Sequence, residues 1–262
     1  MRIPLLAAAL CTAVTLATGS AQAAVKTQTV AYKQGDTTLE GWLVYDDAAK
    51  GKRPGVLVFP QWMGPSGHEK DVAERLAKLG YVAFVADVYG KGVRPDTPQT
   101  AGAEMGKYMK DRALLLARAQ AGLDQLRQSP MVDTTKLAAI GYCFGGAPAL
   151  DLARNGAALV DVVTFHGALP TPTPENARNI KAHVLVLHGA ADPIVNAQAV
   201  DAFEKEMTDG KVADWQVVLY GGVMHAFTDK VHPSSPEHGS KYDATADQRS
   251  WQAMTDLFKS TL

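Results

Sequence analysis

Hydrophobic positions along the chain follow two alternating periods. Residues 25–32 and 39–45 are short runs rich in β-branched and aromatic side chains, separated by the turn signal Gln34-Gly35-Asp36. That arrangement predicts an antiparallel hairpin. Residues 54–60 form a continuous apolar run, the pattern of a strand buried on both faces. A polar loop rich in Gly and Pro, 61–67, leads into 68–79, where Val72, Leu76 and Leu79 recur at helical spacing and Gly80 follows. Residues 81–88 are apolar again, and 90–100 read as a Gly- and Pro-rich excursion over the surface.

Beyond it the alternation continues. A long helix is predicted over 101–128, with Met109, Ala113, Leu116, Leu123 and Leu126 as its apolar stripe and Pro130 after its end. Strands are predicted at 136–143, 161–167, 183–189 and 215–221, and helices at 145–154, 196–207 and 245–262. Buried strands alternating with amphipathic helices imply an α/β fold, a mostly parallel sheet of about eight strands with helices on both faces. No repeat, low-complexity tract or linker divides residues 24–262, which read as one domain.

The first 23 residues have a different logic. Arg2 precedes an apolar run from Pro4 to Leu16, and the segment ends in Ala21-Gln22-Ala23. A short positive region, an apolar core and a small-residue end are the pattern of a secretory signal cleaved after Ala23. The apolar run is shorter than the roughly 20 residues that span a bilayer, so no membrane anchor is expected after cleavage. The expected location is periplasmic or secreted.

Composition narrows the function. The chain has 262 residues, 47% hydrophobic and 20% charged, with a formal net charge of −1. That apolar content builds a core, and the near-neutral balance gives no footprint for nucleic acid. Two cysteines cannot form a disulfide scaffold or a four-thiolate zinc site. No His/Asp/Glu set has zinc spacing on one element, so no metal is expected. Removal of residues 1–23 takes Cys11 with it and leaves Cys143 without an internal partner.

Cys143 lies in Gly141-Tyr142-Cys143-Phe144-Gly145-Gly146, a Gly-x-nucleophile-x-Gly pattern where a strand hands over to a helix. A nucleophile on a sharp strand-to-helix turn needs glycine on either side, because side chains there would collide. The helix that follows points its positive end at the thiol, and the Phe144 amide would face a developing oxyanion. A nucleophile of this kind needs a base and an orienting acid, in the chain order nucleophile, acid, histidine. Asp192, in Leu187-His188-Gly189-Ala190-Ala191-Asp192-Pro193, lies just past the carboxyl end of a buried strand, where open α/β sheets place their ligands. His225, in Met224-His225-Ala226-Phe227, directly follows the last strand. His232 and His238 sit in a Pro/Ser/Gly-rich loop and are expected to be solvated.

On these stretches, with Phe59-Pro60-Gln61-Trp62-Met63-Gly64 and Val85-Ala86-Asp87-Val88-Tyr89-Gly90, the chain resembles the dienelactone hydrolase family of α/β-hydrolases over nearly all of residues 24–262. The resemblance implies a cofactor-free triad of Cys143, Asp192 and His225, and an oxyanion hole formed by the backbone amides of Phe144 and Trp62. Two positions depart from the family pattern. Gln61 stands where members often carry a glutamate that contacts the resting thiol. Asp229 stands where the family's name-giving enzyme has an arginine that holds the substrate carboxylate. Arg94 and Arg112 are other cations that could approach the substrate.

His166 and His188 each end a buried strand before a glycine, and packing with one satisfied hydrogen bond is the simpler role for both, pocket lining the other. Trp62, Tyr89 and Phe227 are either site walls or core, and Gln61 is a further pocket candidate. The expected function is hydrolysis of a lactone or small activated ester through an acyl-enzyme. The alternative is a non-catalytic protein that binds small molecules on the same fold. Thiol redox work would need a resolving thiol, which residues 24–262 lack.

Overall fold

The computed structural model describes residues 24–231 and 234–262. The candidate signal, residues 1–23, and His232 lie outside the described residues. The first hairpin pairs β1 (Val25–Gln34) with β2 (Thr37–Asp46) in antiparallel register through a two-residue turn at Gly35-Asp36. Gly35 has φ +55°, in the left-handed region that such tight turns use. Then follow β3 (Arg53–Phe59), α1 (Gly67–Lys78), β4 (Val82–Val85), α2 (Pro98–Lys110), α3 (Arg112–Arg127), β5 (Val132–Tyr142), α4 (Gly146–Arg154), β6 (Asp161–Phe165), β7 (His183–Gly189), α5 (Ala197–Asp209), β8 (Trp215–Tyr220) and α6 (Ala244–Thr261).

The eight strands form one sheet in the order β1-β2-β4-β3-β5-β6-β7-β8. It is antiparallel from β1 to β4 and parallel from there on. The period of two along each central strand divides its side chains between two apolar layers. Leu57 and Phe59 of β3, Leu137 and Ala139 of β5, and Val184 and Val186 of β7 pack with Leu115, Leu123, Leu150 and Phe203 of α3, α4 and α5. Val56 and Val58, Ala138 and Ile140, and Leu185 and Leu187 pack with Val72 and Leu76 of α1 and with Met254 and Phe258 of α6. Both faces are therefore covered, which explains why the central strands read as unbroken apolar runs.

The single long helix expected over 101–128 is two helices. Asp111 interrupts it with φ −116° and ψ 79°, and its carboxylate accepts the Leu114 N–H at 2.9 Å. The apolar stripe continues across the break, so hydrophobic spacing alone conceals it, and the Asp111 cap satisfies an orphan donor at the start of α3. Helix α2 begins at Pro98, inside the stretch expected to be irregular, with Thr97 and Thr100 capping each other.

The helices on the α4 face are tied by buried charge. Arg154 forks Glu206 of α5 at 2.7 and 2.8 Å and also donates to Asp151 and to the Leu169 carbonyl. Arg112 of α3 forks the same Asp151 at 2.8 and 2.7 Å. Arg154 and Glu206 are 2% and 6% exposed, so neither tolerates loss of its partner. Glu206→Ala should lower unfolding free energy by about 3 kcal/mol in urea titration.

Candidate active site

The geometry above the sheet begins with one tight turn. Strand β5 ends at Tyr142, a single 3-10 turn spans Cys143–Gly145, and α4 starts at Gly146. Cys143 has φ +51°, a conformation that costs a residue with a Cβ about 1–2 kcal/mol and is held here by its surroundings. Its carbonyl accepts the N–H groups of Ala168 and Gly146. A Cβ on Gly145 would stand 2.5 Å from the Phe59 carbonyl oxygen, and one on Gly141 would run into the Gly145 backbone. The glycines of the motif are thus required by close backbone approach, as the sequence pattern anticipates. Cys143 is partly exposed, and the first turn of α4 lies beneath it.

The loop after β3 is pinned on several sides. The Gln61 N–H donates to Glu69 Oε1 at 3.1 Å, the Gly64 N–H donates to the Gln61 carbonyl at 3.0 Å, and the Tyr89 hydroxyl donates to the Trp62 carbonyl at 2.8 Å. The Trp62 N–H is left without a hydrogen bond among the described residues. Glu69 is fully buried, and its other oxygen accepts the Ser66 N–H and hydroxyl. It anchors the loop by its carboxylate rather than meeting the thiol. Residue-by-residue reading missed this role, although Ser66-x-x-Glu69 is a capping-box signal.

Asp192 and His225 come together from the ends of β7 and β8. His225 Nδ1 donates to Asp192 Oδ2 at 2.7 Å, and Asp192 Oδ1 accepts the N–H groups of Ile194 and Val195 at 2.8 and 2.9 Å. Both side chains are at least nine-tenths buried. The far nitrogen of His225, Nε2, is buried and has no partner of normal hydrogen-bond geometry, and its neighbour in charge and hydrogen bonding is the Cys143 sulfur. Such contacts are commonly loose in an unliganded enzyme and tighten on substrate. Burial by itself depresses the imidazolium. The negative charge of Cys143 and the hydrogen bond to Asp192 outweigh that and raise the His225 pKa to about 10. A proton that Cys143 gives to His225 is then held there until pH rises through about 10.

Of the secondary candidates, His166 and His188 are packed and singly hydrogen-bonded. His166, with φ +41°, shares a 2.9 Å hydrogen bond with the Thr228 hydroxyl and stands edge-on to the ring of His225, with centroids 5.0 Å apart. Burial, then the neighbouring His225, push its pKa well down, so it is neutral beside His225. His188 Nε2 donates to the Val195 carbonyl at 2.8 Å, which fixes its tautomer and braces the Asp192 loop. Tyr89 and Phe227 are core-buried side chains, whereas Trp62 is partly exposed. Gln61 is buried, and its Nε2 donates to Asp229 Oδ2 at 2.7 Å, so the two departures from the family pattern contact each other. Arg112 is spent on Asp151, and Arg94 donates to the carbonyls of Gly90 and Val93 and lies 3.5 Å from Asp87. His238 is exposed. No cluster of His, Cys, Asp or Glu among the described residues could hold a metal ion.

An eight-stranded, largely parallel sheet with a strained strand-to-helix turn at the end of β5 defines the α/β-hydrolase fold. The model of the dienelactone hydrolase family matches residues 39–262. The chain belongs to that family and is an ester or lactone hydrolase. It is 30% identical to a protein of Aquifex aeolicus (strain VF5) named "Putative carboxymethylenebutenolidase", over 90% of this chain and 99% of that one. A solved dienelactone hydrolase-like promiscuous phosphotriesterase from metagenomic libraries is 42% identical, covers 91% of this chain and 99% of its own, and superposes with a TM-score of 0.85. The dienelactone hydrolase of Anabaena variabilis shares the fold at 20% identity and a TM-score of 0.67, over 91% and 99% of the two chains.

Gly145→Ala should abolish ester hydrolysis, because the new methyl group forces the turn away from β3. Steady-state assay beside a circular-dichroism melt checks it, with activity lost at temperatures where the variant is still folded.

Proposed function

We propose that the protein hydrolyses a lactone or small activated ester through an acyl-enzyme on Cys143. The observation that carries this reading is the aligned set of Asp192, His225 and Cys143, with a 2.7 Å hydrogen bond at one side of the imidazole and the sulfur at the other.

His225 Nε2 takes the Cys143 thiol proton as the sulfur attacks the carbonyl carbon and forms the C–S bond, and the carbonyl electron pair moves to oxygen. The amides of Phe144 and Trp62 receive that oxyanion. Collapse of the tetrahedral intermediate breaks the C–O bond, and His225 gives its Nε2 proton to the leaving alkoxide. With its proton given to the leaving alkoxide, the neutral imidazole is free to act as base. It takes a proton from water, the hydroxide adds to the thioester, and release of the acid returns that proton to the sulfur. Asp192 keeps Nδ1 protonated and the ring aimed throughout.

The substrate's own charge is not recognised by an arginine after the histidine, where this chain has Asp229. A neutral ester or lactone is therefore the first choice of substrate, and a phosphotriester, named for the 42% identical relative, is a second probe of the same nucleophile. Export is part of the same proposal. Residues 1–23 act as a secretory signal, which predicts an isolated periplasmic or secreted form beginning at Ala24 by intact mass.

Cys143→Ala should remove hydrolysis of a chromogenic ester with little change in thermal unfolding, and the wild-type enzyme should show an acyl adduct on Cys143 by mass spectrometry. Full activity in Cys143→Ala would refute the mechanism, and a wild-type protein with neither adduct nor turnover across several ester classes would favour the binding-protein alternative. Alkylation of Cys143 by iodoacetamide near neutral pH should be faster in the wild type than in His225→Ala, which lacks the base beside the sulfur.

A further inference from the structure

A cavity of about 310 Å³ lies between α1, the start of α6 and residues 228–231. It is separated from the thiol by the sheet end itself, since Tyr142, whose ring lines it, points to the α1–α6 layer while Cys143 begins the turn above. Its wall carries donors that the fold leaves unused. His68 is 6% exposed, and its Nε2 is buried without a partner. The His68 ring meets the Tyr142 ring edge-on at 4.7 Å, and the Tyr142 phenol has no hydrogen bond to the described residues. Arg75 makes no ion pair among them either. Its guanidinium carbon lies over the Trp251 ring, 3.6 Å from the centroid, which holds the charge in place without neutralising it.

The acids of the cavity are of two kinds. Asp247 is already matched, since its Oδ2 faces Lys230 Nζ at 3.0 Å and accepts the Tyr242 hydroxyl at 3.3 Å. Asp71 also lines the cavity and is exposed, at its rim on α1. The unspent groups of the buried wall are thus the Arg75 guanidinium, the His68 ring nitrogen and the Tyr142 hydroxyl, and together they suit an anion. Val72 and Val231 complete the lining with apolar surface, which an inorganic anion would leave idle.

We propose that this cavity binds a small organic carboxylate, its oxygens on Arg75, His68 and Tyr142 and its short alkyl part against Val72 and Val231. The class matches the acid that ester hydrolysis releases, but the site is separate from Cys143, and its existence does not depend on which residue is the nucleophile.

Isothermal titration of the protein with butyrate, butyramide and inorganic phosphate tests it. Butyrate should bind one to one with a Kd near or below about 1 mM, and butyramide and phosphate at least about tenfold more weakly. Arg75→Met and His68→Phe should each weaken butyrate about tenfold. Arg75→Met should also keep ester hydrolysis within about twofold of wild type, and this together with His68→Phe guards against loss of fold in either variant. Absence of butyrate binding would overturn the proposal. So would binding unchanged in both variants, which would put the carboxylate in the Cys143 site, or phosphate binding as tight as butyrate, which would make the cavity a plain anion site.

Discussion

The turn that carries Cys143 is pressed against the end of β3, and everything above the sheet is arranged around that contact. Gly145 lies so near the Phe59 carbonyl that no side chain fits between them. The approach brings the turn that holds Phe144 against the end of β3, from which the loop of Gln61 and Trp62 leaves. It also goes with Cys143 in the left-handed region. Strain at Cys143 is thus the consequence of packing at this turn.

Around that contact the polar groups act as a set of fasteners. Glu69, buried and fully hydrogen-bonded, ties the loop of Gln61 to the first turn of α1. Tyr89 reaches over from the end of β4 to hold the Trp62 carbonyl. His188 braces the Asp192 loop through Val195, and His166 braces the His225 loop through Thr228. Each is a buried polar group that spends its hydrogen bond on loop backbone or on a loop side chain. In an interior of low dielectric such bonds are costly to break, and they hold the loops to the strands beneath them. The charge network of Arg112, Asp151, Arg154 and Glu206 does the same work lower down, holding α4 beneath Cys143.

Most of the architecture was legible from hydrophobic spacing. The strands from β3 to β7 are covered on both faces, so their central positions are mostly apolar and the runs stand out. The helices show one apolar face and were placed to within a few residues. The failure at Asp111 is instructive, because spacing reports which face is buried and says nothing of a change in helix axis. A helix that breaks while keeping its stripe looks continuous until its cap is seen. The same limit applies to Glu69 and Thr228, whose partners, Gln61 and His166, are set by a fold and not by a motif.

The sequence by itself determined the kind of turn and the kinds of group. Glycine beside cysteine at a strand end, an aspartate after one strand and a histidine after the last are local chemical choices, readable because each answers a local steric or hydrogen-bonding need. Tertiary structure alone decided which groups meet. It placed Asp192 2.7 Å from His225 across 33 residues, joined Gln61 to Asp229 across 168, and spent Arg112 on Asp151 rather than on a substrate. Those pairings depend on strand order and on the angles at which loops leave the sheet. They are properties of the packed chain as a whole, and no short stretch of residues contains them.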